Sequence, residues 1–344
     1  MKNRLLFTTA LIAAAFAVSD ARAERLVVSS GEEEAVNAEM SANDNSELQG
    51  GAILNSGKLT VADGVVFNGN AGSVGGAVST VDASGAAVIG DNVSFIGNTS
   101  AMQGGAYHNQ RATSTIGDNA KFHNNTAIGY GGGAVYNANY GGKNAEMTIA
   151  GVSVFENNEA TGLGGAVYND GKLNMGGAVF SGNKAGGKLN DVYNAGELNF
   201  TGDVTLDGGI AGNGTTTFAK DTVLTVKTGT TTISNDVVNK GATLSLVFAN
   251  GYAGGEYDLI TEEGSLDKEF NIAQNALYNI KANENGSYTI SKKTAGDFVA
   301  STGANVNQAN TISAVAGSKT GSARFDAVAE LSLIHISEPT RLLS

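Results

Sequence analysis

The sequence predicts an all-β solenoid, a right-handed single-stranded parallel β-helix, on three observations. Gly-Gly-Ala followed by an apolar residue occurs five times, at 50–53, 75–78, 104–107, 132–135 and 164–167. Phe-x-x-Asn occurs five times, at 67–70, 95–98, 122–125, 155–158 and 180–183. The two alternate strictly, one pair every 25 to 33 residues. A repeat of that length cannot bury its own apolar face, so successive units must stack.

Within a unit the pattern reads as three short β runs separated by turns. The first carries the Gly-Gly-Ala motif and reaches an Asn, as in Gly132 to Asn137 and Gly164 to Asn169, with His108 in the Tyr slot of the third copy. Asp191-Val-Tyr-Asn194 is a degenerate sixth copy. A turn and a second run follow, as at 56–60, 170–174 and 195–199, and a third run leads into the Phe. Gly, Asn and Asp punctuate these runs, the residues that tolerate corner conformations.

Equivalent positions of stacked coils form columns about 4.8 Å apart. Phe67, Phe95, Phe122, Phe155 and Phe180 are expected to make an interior aromatic column. Asn70, Asn98, Asn125, Asn158 and Asn183 are expected to make an amide ladder at a corner. A second ladder is expected through Asn55, Asn109, Asn137, Asn169 and Asn194. A ligand-binding row is the alternative for these asparagines, but recurrence in every coil is what stacking requires, whereas a site needs one local cluster.

Composition agrees with a packed β structure. Gly is 48 of 344 residues, about twice its usual share, and there is no Cys, no Trp and one Pro. The absence of Cys excludes disulfides and thiolate metal sites. Lys2 and Arg4, the apolar run 5–18 and Ala21-Arg22-Ala23 read as a secretory signal over 1–23, with the mature chain beginning at Glu24. Loss of Lys2, Arg4 and Arg22 against Asp20 takes the formal charge from −12 to −14. So acidic a chain argues against nucleic acid as a partner.

The remaining organisation follows from where the motif weakens. Residues 24–49 are expected to cap the first end, with Gly31 and the acidic 32–34 keeping it polar. Residues 50–203 hold the regular repeats, and 204–295 keep strand character without the motif, an irregular continuation ending in a cap. Residues 296–330 have helical spacing and Ala content, a short helical or linker segment. The last fourteen residues, 331–344, hold the chain's only Pro and fit no repeat. They resemble a translated sequencing-adapter tail and are set aside from fold reasoning.

The signal, the alternating motifs and the β-helix pattern together resemble autotransporter passenger domains, specifically those with polymorphic outer membrane protein-type repeats. The repeat resemblance covers about 50–203. It implies export to a Gram-negative outer membrane surface, or release from it, through a C-terminal β-barrel. That barrel is missing here: no series of ten-residue alternating strands follows. The 296–330 segment sits where a linker toward it would begin.

Candidate chemistry is sparse. Asp91 and Asp118 both lie in Ile-Gly-Asp-Asn and read as turn formers one coil apart. His108 with Arg111 is the one pair suggestive of catalysis, yet His108 replaces a repeat Tyr. No serine-hydrolase, zinc-protease, phosphate-loop or calcium-nonapeptide motif is present, so no catalytic, cofactor or metal residue is assigned and no cofactor is expected. With no such chemistry, the resemblance to passenger domains implies a non-enzymatic rod for adhesion or cell-surface interaction with a surface protein or glycan. Its longer loops, 80–87, 110–114 and 137–144, with Tyr140 and Arg111, are the candidate contacts. The alternative is a carbohydrate-active β-helix enzyme, a polysaccharide lyase or hydrolase, which would need Asp and Glu side chains converging in one groove.

Overall fold

A computed structural model describes residues 25–141, 144–294 and 297. The expected signal helix at 1–23, the 296–330 segment apart from Asp297, and the 331–344 tail lie outside the described residues. The described chain is all-β, with 36 strands and no helical element, wound as a parallel β-helix. Three faces run along it. The first is an eight-stranded parallel sheet with one strand per coil, from Leu26–Val28 to Ile210–Ala211. The second is an 18-stranded sheet that takes two runs from each coil. The third is a seven-stranded sheet from Asp44–Gln49 to Lys188–Leu189.

Each repeat coil thus carries four runs where the sequence suggests three. The fourth follows the Phe-x-x-Asn corner, as in Ala71–Val74, Thr99–Gln103 and Thr126–Ala127. These pieces are short and carry no apolar alternation, so period-2 reading passes over them. Residues 26–49 form a coil of their own, whose strands pair in parallel with those between 53 and 74.

Register places like residues over like. Phe67, Phe95, Phe122, Phe155 and Phe180 follow one another across the second face and are at most 1% exposed. Their ring centroids step by 5.0, 4.9, 4.7 and 4.8 Å with planes nearly parallel. Such contacts add about 0.5–1.5 kcal/mol per pair to the area buried. Beyond Phe180 the aromatics change track: Phe200 stacks on Phe218 at 5.4 Å, in register with Met175 on the other run of the same face. Aliphatic Leu206, Val226 and Leu246 fill the run that the phenylalanines leave.

The two glycines of each Gly-Gly-Ala serve different needs. The first has positive φ in all five copies, between 62° and 67°, a conformation that is strained for residues with a Cβ. The second has no positive φ; a Cβ on Gly105 would instead strike the Gly133 carbonyl of the next coil, and one on Gly133 the Gly165 carbonyl. The Phe-x-x-Asn corner also has a left-handed residue just before its Asn: Gly69, Gly97, Asn124, Asn157 and Gly182. Glycine and asparagine are the residues that enter this region most readily.

The parallel coils end in a three-stranded antiparallel sheet, Gly255–Asp258, Ser287–Lys292 and Tyr278–Ala282. Its Tyr257, Tyr288 and Ile290 join the main core, so the last coil packs against side chains rather than ending in open strand edges.

Candidate functional site

The residues singled out as columns lie in the interior. Asn70 donates through Nδ2 to Asn98 Oδ1 at 2.9 Å, Asn98 to Asn125 at 2.9 Å, and Asn125 to Asn158 at 3.0 Å. Asn158 donates in turn to Asn183 at 3.0 Å. Each Oδ1 also accepts the backbone N–H of the preceding ladder residue. Each Nδ2 reaches back to a carbonyl, that of Phe67 for Asn98 and of Phe95 for Asn125. With two donors and two acceptors used, every amide is satisfied at about 1% exposure or less. The ladder extends past the motif at both ends, to Asn43 and to the carboxylate of Asp191.

The second ladder is shorter than the sequence suggests. Asn109, Asn137, Asn169 and Asn194 are linked by 2.8 Å bonds, but Thr80 holds the register position between Asn55 and Asn109. Asn55 instead donates to the Ala86 carbonyl of the next coil and accepts the Gly57 N–H of its own turn. In the interrupted coils an interior Tyr107 takes over, its hydroxyl 2.9 Å from both Thr80 and Ser114, and Ser114 donates to Asn109 at 2.8 Å. Tyr107 occupies the apolar slot of its Gly-Gly-Ala copy, the one signal that this coil is built differently.

Outside the helix, two features stand out on the first face. Its strands turn Val and Asn inward, so the residue between them points outward. That outward position is Ser79, His108, Tyr136, Tyr168, Tyr193 and Ala211 in successive coils. His108, Tyr136, Tyr168 and Tyr193 stack with steps of 5.5, 4.6 and 5.4 Å. Tyr130 packs edge-on against Tyr136 and Tyr168, and Leu163 joins the same cluster. Burial raises the Tyr136 and Tyr168 hydroxyls well above their ordinary value. Burial also lowers His108 to about 4, so the ring is neutral; Ser79 Oγ lies 3.0 Å from its Nδ1 and its Nε2 has no partner.

The second feature joins the loops that leave this face. Asp82, Arg111 and Tyr140 come from consecutive coils. Arg111 is ion-paired with Asp82, and its guanidinium sits 5.4 Å from the centroid of the Tyr140 ring. Tyr140 is 61% exposed. Arg111 and His108 therefore serve different surroundings, the loop cluster and the tyrosine stack.

The carboxylates occupy corners. Asp63 accepts the Asp91 N–H and Asp91 accepts the Asp118 N–H, both at 2.8 Å, a column that ties turn to turn. Glu156 lies 3.3 Å from His123 on the second face. Among the described residues no three His, Asp or Glu side chains gather as a metal-holding group.

A family model for the Chlamydia polymorphic membrane protein (Chlamydia_PMP) repeat matches residues 152–170. That stretch holds one Phe-x-x-Asn corner and the Gly-Gly-Ala strand that follows it. No curated protein and no solved structure matches the chain. The chain thus carries a repeat of the polymorphic membrane protein type, set within a stacked parallel β-helix.

Proposed function

We propose that this chain is the passenger of a polymorphic membrane protein-type autotransporter, exported to the Gram-negative cell surface or released from it. It acts there as a non-enzymatic rod for adhesion or cell-surface interaction. The matched repeat supports the family and the surface location. The observation that carries the mode of action is the Asp82–Arg111–Tyr140 cluster. Stacked coils hold three loops side by side, and a rigid scaffold that presents an exposed Tyr braced by Arg has the makings of a binding anchor.

No observation favours the polysaccharide lyase or hydrolase. Asp63 and Asp91 each spend an oxygen on a backbone amide at a corner, whereas a glycosidase needs two carboxylates free to flank a bond.

Beads coated with the chain test the adhesion reading. They are expected to attach to cultured epithelial cells, with the Arg111→Ala/Tyr140→Ala variant attaching several-fold less and Lys58→Ala unchanged. Attachment no better than that of uncoated beads overturns it.

A further inference from the structure

The outward tyrosine column stops abruptly. Tyr168 covers one face of the Tyr193 ring at 5.4 Å with planes 11° apart. In the next coil the same position is Ala211, and the Ile210–Ile233 bridge carries the register on to Ser234. A surface cleft of about 460 Å³ opens at this step, lined by Tyr193, Ala211, Gly212, Asn213, Ser234 and Glu263. We propose that it binds a neutral saccharide, one sugar ring lying over Ala211 and stacked on the free face of Tyr193.

The chemistry of the lining decides the ligand class. Coils repeat at about 4.8 Å, so a ring resting over Ala211 falls at the next step of a stack already built from three tyrosines and a histidine. Ala211 and Gly212 offer no bulk to obstruct it. Tyr193 supplies an apolar surface, and Asn213, Ser234 and Glu263 supply amide, hydroxyl and carboxylate groups around it. A pyranose has this same division, an apolar C–H face and an edge of hydroxyls. The volume lies within the range of small-ligand sites, about 300–1,000 Å³. A Phe or Trp side chain of a partner protein fits less well, because its ring offers too few partners to the amide, hydroxyl and carboxylate of the lining. Acidic sugars are repelled by Glu263 and by the chain's formal charge of −12.

The site needs only an outer face open to solutes and does not depend on the loop cluster. Saturation-transfer NMR on the full chain tests it, with the methyl β-glycosides of glucose, galactose and N-acetylglucosamine, and methyl β-glucuronide. Transfer is expected to the C–H protons of at least one neutral glycoside and not to the glucuronide. Tyr193→Ala is expected to reduce it to background. Ala211→Tyr is expected to abolish it too while leaving the urea midpoint unchanged or higher, because the new ring extends the stack into the cleft; this separates loss of binding from loss of fold. No transfer from any neutral glycoside, transfer that persists in both variants, or equal transfer to the glucuronide overturns the proposal. A chain that binds cells as coated beads yet shows no transfer loses only this site. One that shows transfer but no adhesion loses only the rod's adhesive role.

Discussion

Asn183 donates its Nδ2 hydrogen to the carboxylate of Asp191 at 3.1 Å, ending a one-way relay of amides. Each Asn from Asn70 to Asn183 accepts at Oδ1 from one neighbour and donates at Nδ2 to the other, so the relay has a direction. Its donor end requires a group that only accepts, and a carboxylate is such a group. Asp191 also accepts the backbone N–H groups of Asp207, Gly208 and Gly209, locking the turn of the following coil. At the opposite end Asn43 Oδ1 is buried without a partner among the described residues, the converse of the donor end.

The cost of this anchor depends on pH. Burial raises the Asp191 carboxyl to about 6, against the pull of its four donors. A carboxyl whose folded value exceeds its unfolded value of about 3.9 stabilises the fold most below that unfolded value. Stability is then lost as pH rises through the window between about 4 and 6. The loss is on the order of 3 kcal/mol at most. Urea midpoints across this range are expected to show the decline in a His108→Tyr background. Asp191→Asn should flatten it, while lowering stability by about 1–3 kcal/mol because its amide faces three backbone donors.

His108 produces the opposite slope. Burial holds it near 4, below its unfolded value of about 6.5. The neutral ring's contribution is complete above that unfolded value and is lost as pH falls toward 4. The lost amount is again about 3 kcal/mol at most. His108→Tyr restores the repeat residue over Tyr136 and removes the unpartnered Nε2. The variant is expected to gain more stability at pH 5 than at pH 8. An equal gain at both would mean that the histidine is not held neutral.

The glycines can be sorted by the reason each is needed. Gly97 has φ 61° with nothing near its missing Cβ, whereas Gly105 has no positive φ and its Cβ would meet the Gly133 carbonyl. Gly97→Ala is expected to cost about 1–2 kcal/mol, the strain of a left-handed alanine. Gly97→Asn should cost less, since Asn124 and Asn157 hold the same position one and two coils on. Gly105→Ala is expected to cost more than either, because backbone must move. Thermal melts of the three variants give the order.

The sequence exposes the parts of this fold that recur and hides those that occur once. Gly-Gly-Ala and Phe-x-x-Asn are legible because each demands a particular residue type in every coil. Asn43 and Asp191 are not: a ladder terminus has different partners from its interior and so breaks the motif. The gap at Thr80 is hidden because the threonine hydroxyl bonds Tyr107 instead of an amide. Of the surface, loop residues Arg111 and Tyr140 stand out as departures from the repeat. The cleft beside Tyr193 does not, because it is made by a small residue, Ala211, in a column that only coordinates reveal.

The strongest test of the relay is non-additivity. Asn125→Ala removes the acceptor of the Asn98 side chain and backbone N–H and the donor to Asn158 and the Phe95 carbonyl. Leaving several buried groups unpaired, at about 1–3 kcal/mol each, is expected to cost at least 3 kcal/mol. Asn55→Ala breaks only two bonds, neither to another ladder amide, and is expected to cost less. Asn98→Ala alone should resemble Asn125→Ala. In the double variant, the amide of each is no longer present to miss the other, so the combined cost is expected to fall short of the sum by about 1 kcal/mol or more. Strict additivity in urea denaturation would mean that each amide acts alone, its worth set by local carbonyls rather than by its place in the ladder.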